Sequence, residues 1–303
     1  RKYARAIPHS AIATDSANTA SAYMSGHKTE VNALGVYADR TEDPFDDPKV
    51  EVIAEALART GGKALGIVTT AELQDATPAS LVAHTRKRAE KAAIADMLFE
   101  RQPQVILGGG SAYMLPQSTP GSKRKDDENL IQKFQDQGYQ LVTDAAGLKA
   151  AEGSNSGKLL GLFHTGNLDV ALDRKFLKEG TVDKFPDQPG LVEMTEIALG
   201  QLSKNPDGFV AMIEAASVDK QKHTMDWERA SFDMIEFDQA VGIDQRRQQS
   251  RALPRKFCRF EPTAVALAQG HPDIFPAARL LAVAERRPHR QRHEGHRLRP
   301  GEA

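Results

Sequence analysis

The sequence contains very little cysteine and no long apolar run, and each absence excludes a class of protein. Its 303 residues include one cysteine, Cys258, so no internal disulfide can form and no redox compartment is implied. No apolar stretch approaches the roughly 18 residues of a membrane-spanning helix. Neither an initiator methionine nor a signal-type apolar run precedes Ser10, so we expect the chain to begin inside a longer reading frame.

The sequence also lacks an excess of positive charge, since its formal net charge is −1. Residues 1–242 hold 27 Lys and Arg against 35 Asp and Glu, whereas residues 243–303 hold 13 against 6. Nucleic-acid binding needs a basic face to meet the phosphate backbone. The acidic body therefore argues against nucleic-acid-specific binding.

Short apolar runs alternate with amphipathic segments as far as residue 242. Runs punctuated by glycine or proline are typical of buried parallel strands, and amphipathic segments are typical of helices. The alternation predicts an α/β fold, a three-layer sandwich with a mostly parallel central sheet and helices on both faces. The predicted strands are KALGIVTT, PQVILGG, YQLVTD, KLLGLF and GFVAMIEA, and the predicted helices are DPKVEVIAEALARTGG, AEKAAIADMLFERQ, DENLIQKFQDQG and GLVEMTEIALGQLSKN.

In such sheets the functional site lies beyond the carboxyl ends of the strands, and two strand ends carry reactive side chains. After GFVAMI come Glu214, Asp219 and His223. Carboxylate and imidazole together favour zinc or a similar divalent ion, and a spacing of four residues places Asp219 and His223 on one side of a helix. The alternative is a solvated helix start in which Asp219 is only a cap.

The strand ALGIVTT is followed by Asp75, Thr77 and Arg88. Because Thr77 precedes Pro78, we expect an extended backbone there, with the hydroxyl available to a hard ion such as Mg²⁺. The planar fork of Arg88 matches two phosphate oxygens. The alternative is that Arg88 belongs to a basic helix face and pairs with Glu90 and other acids.

The stretch TDSANTASAYMSGHKT predicts a helix of small residues that begins near Asp15 and Ser16. A helix N-terminus presents unpaired amides that suit a phosphate. The small residues would let this helix press against neighbouring strands and hold Ser16 firmly; they are Ala17, Ala20, Ala22 and Gly26. The alternative is an ordinary helix cap over a buried helix.

Three separated motifs, DSANTA, TTAELQDATPASLVAH and EAASVDKQKH, resemble the bacterial branch of the alkaline phosphatase family. The resemblance runs from about Ala6 to Gly242 and implies metal-dependent hydrolysis of phosphate monoesters through a phosphoserine. It also implies two Zn²⁺ ions and one Mg²⁺ ion. The roles it implies are nucleophile and metal contact for Ser16, phosphate clamp for Arg88, magnesium ligands for Glu214 and Thr77, support of that site for Asp75, zinc ligands for Asp219 and His223, and a water-mediated phosphate contact for Lys220.

The resemblance also indicates missing parts. The family has an aspartate on a strand upstream of the serine and late ligands that include an Asp-His pair, and no Asp-His dipeptide occurs in this sequence. We therefore expect residues 1–242 to be a partial catalytic domain that lacks its first strand and C-terminal part, and activity of the chain as written to be severely reduced.

Residues 243–303 differ sharply in composition, with one Lys and 12 Arg against 17 Lys and 10 Arg in residues 1–242. We interpret this atypical tail as a possible product of a frame slip just after FDQAVG, and as disordered. A basic appendage for an acidic partner or membrane surface is the alternative.

Family resemblance further implies export to the periplasm or outside the cell, a homodimer and small-molecule phosphate monoesters as substrates. Two other functions stay open at this point. One is a phosphodiesterase or sulfatase of the same superfamily, and the other is a non-catalytic phosphate-binding fragment.

Overall fold

A computed structural model describes residues 13–154, 157–250 and 278–284, the last seven and residues 244–250 by their backbone alone. The central sheet has six strands in the order β3-β4-β2-β1-β5-β6. Its strands are β1 (Ala64–Glu72), β2 (Val105–Gly109), β3 (Gln140–Val142), β4 (Leu159–Leu162), β5 (Phe209–Ala215) and β6 (Ala278–Ala284).

Strands β1 to β5 are mutually parallel, and β6 pairs with β5 in the antiparallel direction. All five predicted strands are therefore confirmed. Strands β1, β2, β4 and β5 are buried along their whole length, which explains why their sequences are continuous apolar runs.

Helices cover both faces of the sheet, as the alternating pattern predicts. They are α1 (Ser16–Ser25), α2 (Ile53–Thr60), α3 (Ala76–Ala79), α4 (Lys91–Arg101), α5 (Leu130–Asp136), α6 (Ala145–Ala150), α7 (Leu191–Leu202), α8 (Ala216–His223) and α9 (Trp227–Ser250). Short 3₁₀ segments at Ser111–Tyr113 and Ala151–Gly153 and a π-helical segment at Asp173–Leu177 complete the described elements.

Two hydrophobic clusters form the core, one on each face of the sheet. Ile67 of β1 packs with residues of α4 and α5 such as Ile94 and Phe134. Val68, its neighbour in the strand, points to the other face and packs with residues of α7 and α9 such as Met194 and Ala240. The strand alternation thus holds two helical layers on one sheet, and the predicted three-layer α/β sandwich is confirmed.

Helix α9 runs across the domain boundary predicted after residue 242 and ends at Ser250. The predicted division into residues 1–242 and 243–303 stays a prediction. Most of the predicted tail lies outside the described residues.

Candidate functional site

The candidate site lies at the carboxyl ends of β1 and β5, which are neighbours in the sheet with Thr69 opposite Glu214. The chain that leaves β1 carries Asp75 and Thr77, and α8 follows β5 directly with Asp219 and His223. Parallel strands end at the same edge of a sheet, so residues about 145 positions apart meet there, as the Thr69–Glu214 hydrogen bond shows.

Ser16 is the first residue of α1, and Asp15 caps that helix. The Asp15 carboxylate accepts a 3.0 Å hydrogen bond from the Asn18 amide, and the Asn18 side chain accepts one of 3.0 Å from the Asp15 amide. The cap alternative is therefore correct for Asp15. It does not compete with a functional Ser16, because Ser16 lies in the first turn, where the helix favours an anion, and it lines the cleft described below.

Only some of the small residues of α1 take part in the close packing that the sequence predicted. Ala17 and Ala20 are fully buried, and α1 packs mainly against α3, where Ala76 and Ala79 are also fully buried. The expected contact with strands is replaced by this helix contact. Ala22 is half-buried, and Gly26 ends the helix in a left-handed conformation with φ of 73°. The role predicted for Gly26 in close packing is wrong, since its Cα faces open space.

A series of hydrogen bonds connects α1 to the segment that carries Arg88. The Ser21 hydroxyl donates a 3.1 Å hydrogen bond to the Ala33 carbonyl. Leu34 and Thr85 exchange two backbone hydrogen bonds of 2.8 and 2.9 Å, and the Arg88 amide donates to the Asn32 carbonyl at 2.8 Å. These hydrogen bonds fix the position of α1, which carries Ser16, relative to the backbone of Arg88. We refer to them as the backbone frame.

The backbone at Thr77 is helical, so the prediction that it is extended is wrong. Asp75 caps the short helix α3, and its carboxylate accepts a 2.8 Å hydrogen bond from the Ala76 amide. Pro78 lies in the first turn of α3, where its missing N–H would have had no helical partner. The Asp75 cap and the first-turn position of Pro78 outweigh the preference for an extended backbone that proline imposes on Thr77. Thr77 is 3% exposed and still lines the cleft.

Arg88 pairs with carboxylates of the cleft. Its Nη1 lies 3.2 Å from Asp15 Oδ2, and its Nη2 lies 2.8 Å from Asp75 Oδ1. Arg88 thus pairs with acids, as the alternative held, but these are Asp15 and Asp75 and its segment is not a helix. Two carboxylates hold the guanidinium in place, and Arg88 lines the cleft.

Lys220 is held by the same aspartate. Its Nζ lies 2.6 Å from Asp75 Oδ2. Burial of Asp75 raises the pKa of its carboxyl, but the Lys220 ammonium, the Ala76 amide and the Arg88 guanidinium outweigh burial and hold that pKa below its ordinary value. Asp75 is therefore ionised at neutral pH and positions two cations.

The predicted cation ligands fall into two places along the cleft. Glu214 is 3% exposed, and its Oε2 accepts a 2.8 Å hydrogen bond from Thr69. Asp219 and His223 lie on one side of α8, with His223 Nε2 3.5 Å from Asp219 Oδ2. Ala215, not Asp219, is the cap of α8, so the alternative of Asp219 as a cap is wrong.

One cleft of about 230 Å³ brings these side chains together. Sequence reasoning missed one of its members, Lys91, which follows Arg88 by three residues. Basic residues at a helix start mostly face solvent, so spacing was the only available signal. The cleft is lined by Ser16, Asp75, Thr77, Arg88, Lys91, Glu214, Ala216, Asp219, Lys220 and His223.

A separate acidic group lies in the loop before α2. Among the described residues, Asp39, Asp46 and Asp47 form the one set of three acids or histidines whose donor atoms all lie within 4.8 Å of one another. Arg86 supplies a cation there, with Nη1 2.7 Å from Asp39 and 3.3 Å from Asp47. This group is an internal ion-pair network, apart from the cleft.

Fold and site together define an α/β protein whose cleft combines anion-binding cations with oxygen and imidazole donors at the carboxyl edge of the sheet. A family model for alkaline phosphatase matches residues 3–250. The chain belongs to the alkaline phosphatase family, and the resemblance seen in the sequence is confirmed.

Relatives and solved structures agree with this assignment. The chain is 36% identical over 260 residues to alkaline phosphatase of Escherichia coli K12, which covers 75% of this chain and 53% of the relative. It is 34% identical over 248 residues to alkaline phosphatase 3 of Bacillus subtilis 168, covering 79% and 47%. The crystal structure of Thermus thermophilus alkaline phosphatase matches with a TM-score of 0.68 and 29% identity, covering 78% of this chain and 46% of that one.

The chain spans about half the length of the curated relatives that it matches. One further match is a TAB5 alkaline phosphatase variant with Mg bound in its M3 site, with a TM-score of 0.61 and 25% identity, covering 78% of this chain and 60% of that one. Across the three described ranges, no helix combines the length and the apolar character that a membrane crossing requires.

Proposed function

We propose that this protein hydrolyses phosphate monoesters through a phosphoserine formed at Ser16. The observation that carries the proposal is one shared cleft, in which Ser16, the cations Arg88 and Lys220, and oxygen and imidazole donors all take part. A nucleophile, a clamp for phosphate oxygens and ligands for divalent ions are the parts that phosphoryl transfer needs.

The residues present fit divalent ions. Glu214 and Thr77 offer buried hard oxygens that suit Mg²⁺, and Asp219 with His223 offers the oxygen and nitrogen donors that suit Zn²⁺. Ser16 would contact a metal ion as well. When bound, these ions supply charge stabilisation and lower the pKa of coordinated oxygens.

The chain's own residues bind and orient the ester. The Arg88 fork meets two phosphate oxygens, and Lys220 contacts the phosphate through water. Asp75 holds both cations in place through the 2.8 and 2.6 Å contacts. The first-turn amides of α1 add partial positive charge beside Ser16.

Two displacements complete the reaction. The Ser16 hydroxyl gives up its proton to solvent and its oxygen forms a bond to phosphorus while the bond from phosphorus to the alcohol oxygen breaks, and the alcohol leaves with a proton from solvent. Water then attacks the phosphoserine, which releases inorganic phosphate and returns the Ser16 hydroxyl with its proton. Because these residues contact the phosphate, they place little constraint on the alcohol part.

A comparison of three substrates tests the proposal. We expect p-nitrophenyl phosphate to be hydrolysed faster than bis(p-nitrophenyl) phosphate and p-nitrophenyl sulfate, in buffer with Zn²⁺ and Mg²⁺. A strong preference for the diester or the sulfate would assign the cleft to the alternative esterases. Metal titration by calorimetry separates the non-catalytic alternative, because an enzyme should take up two or three ions tightly and a phosphate-binding fragment one weakly or none.

Family membership also supports a periplasmic or secreted location and a homodimer, which we propose on that basis. Sedimentation of the purified protein tests the dimer. A single species with the mass of one chain across a wide concentration range would contradict it.

A further inference from the structure

Lys91 lines the cleft, but none of the roles proposed above uses it. It is the first residue of α4, and its ammonium pairs with Glu72, the last residue of β1. Glu72 is 6% exposed, whereas the Lys91 side chain is 26% exposed and reaches the cleft. A buried carboxylate thus holds a partly exposed ammonium at the cleft wall.

Glu72 also serves a second lysine. Lys123 Nζ lies 3.7 Å from Glu72 Oε1. Both ammonium groups lie over the Tyr113 ring, Lys91 at 5.6 Å and Lys123 at 5.2 Å from its centroid. Two positive charges share one carboxylate, so this group, which we term the lysine pair (Lys91 and Lys123), carries a net positive charge.

The lysine pair lies to one side of the phosphate-binding cations. Asp75 and Lys220 meet where β1 and β5 end, whereas Glu72 pairs in register with Gly109 of β2, on the opposite side of β1. Neighbouring strands are about 4.8 Å apart. An ester bound at Ser16 therefore shares its cleft with a positive ammonium that is anchored on the β2 side of β1.

Charge balance gives this ammonium a distinct use. Arg88 is paired with Asp15 and Asp75, and Lys220 with Asp75, so these cations are already compensated in the free protein. Asp219 and Glu214 are assigned to divalent ions above, so Lys91 is the cation of the cleft that has no role with the phosphate or the metals. Lys91 shares its single carboxylate with Lys123, and an ammonium has three N–H donors, so it can bind another anionic group.

We propose that Lys91 binds a second anionic group on the leaving part of the substrate, so that the preferred esters carry a carboxylate or a further phosphate close to the phosphoryl group. The inference rests on the proposed function of the cleft. The Tyr113 ring packs under the Lys91 ammonium. Lys123 balances the negative charge of Glu72 while Lys91 binds the ligand.

Two matched esters test this assignment. Phosphoglycolate and ethyl phosphate share the same phosphoryl group and differ by a carboxylate in place of a methyl. Their binding is measured by calorimetry with the Ser16→Ala protein, which blocks turnover, at one fixed concentration of Zn²⁺ and Mg²⁺. We expect phosphoglycolate to bind about tenfold more tightly than ethyl phosphate.

Variants then assign the preference to one side chain. Lys91→Met should reduce the preference for phosphoglycolate over ethyl phosphate to less than twofold, and Lys91→Arg should retain it. The matched control is Lys87→Met, which removes one exposed lysine outside the cleft. Far-UV circular dichroism establishes that each variant is folded.

The outcomes separate the two proposals. Equal binding of both esters overturns the role of Lys91 and leaves the phosphate site intact. A preference that persists in Lys91→Met, or is lost equally in Lys87→Met, overturns it as well. Binding of neither ester overturns the proposed function and this inference with it.

Discussion

Asp75 and Lys220 are joined by a 2.6 Å hydrogen bond, although 145 positions separate them in the sequence. The other oxygen of Asp75 accepts from Arg88 at 2.8 Å. One carboxylate at the end of β1 therefore orients the two cations that would hold a phosphate. Because the salt bridge is partly buried, removal of either partner would leave the other charge uncompensated at the cleft.

Replacement of Arg88 tests the phosphate clamp. We expect Arg88→Lys to weaken binding of inorganic phosphate about tenfold, because a lysine cannot donate to two phosphate oxygens in one plane. Calorimetric titration with phosphate measures the change. Arg59→Lys is the matched control, since Arg59 pairs with Glu51 on the surface and should leave binding unchanged. Unaltered phosphate affinity in Arg88→Lys would remove Arg88 from the clamp.

Replacement of Ser16 tests the nucleophile. After acid quenching during turnover of a monoester, we expect peptide mass spectrometry to find phosphate on Ser16 and to find none in Ser16→Ala. Ser25→Ala changes a serine at the other end of α1, whose hydroxyl bonds the Ser21 carbonyl, and should retain the phosphorylated peptide. Phosphorylation that persists in Ser16→Ala would contradict the assigned role.

Metal content tests the two groups of ligands separately. We expect Asp219→Ala and His223→Ala each to lose the same bound zinc, and the double variant to lose no more, because both side chains would hold one ion. Glu214→Gln should instead reduce bound magnesium. Elemental analysis after gel filtration counts the ions, with His27→Ala as the exposed-histidine control. If Glu214→Gln lost zinc and the Asp219 and His223 variants did not, the assignment of separate zinc and magnesium ligands would be wrong.

Stability should depend on pH through Asp233, a buried residue of α9. Burial, together with the neighbouring Glu236 carboxylate, raises the pKa of Asp233 to about 7, and Arg174 only partly offsets this. The raised pKa means that the folded protein binds the proton more tightly than the unfolded chain does. The stability that Asp233 contributes is therefore complete below pH 4 and is lost as pH rises through 7.

Asp233→Asn should remove this dependence, because an amide stays neutral and still accepts from the Ala171 amide. At pH 8 we expect the variant to be more stable than the parent by up to about 4 kcal/mol. Urea unfolding at pH 5 and pH 8 measures the difference. Asp127→Asn, at an exposed position, is the control. Equal stability of variant and parent at both pH values would refute the assignment.

The sheet was predictable because a buried parallel strand needs apolar residues on both faces, and that requirement leaves continuous runs in the sequence. The runs that contain Ile67 and Ile213 are such cases, and both strands are fully buried. The order of the strands was not predictable in the same way. Strand order depends on which helices cover each face of the sheet. Ile67 and Val68, for example, pack against helices on opposite faces, and this packing is a property of the whole domain.

The cleft was predictable in its members and less so in its details. Ser16, Arg88 and Glu214 line one cleft, as their positions at strand and helix ends suggested. The backbone of Thr77 was mispredicted because the Asp75 cap overrides a local proline preference. Lys91 was missed because its cleft position depends on the ion pair with Glu72, which joins α4 to the end of β1 across 19 positions.

The backbone frame that joins α1 to the Arg88 segment restricts how relatives of this protein can diversify. Extra residues added directly after Gly26, where an added Cβ would meet open space, lie outside the hydrogen bonds that Asn32 and Leu34 make with the Arg88 segment. Gly35 allows no comparable freedom. Its φ is 57°, and an added Cβ would lie 2.5 Å from the Ala83 carbonyl oxygen. Insertions directly after Gly26 are therefore expected to be tolerated, whereas position 35 has to keep a residue without a Cβ.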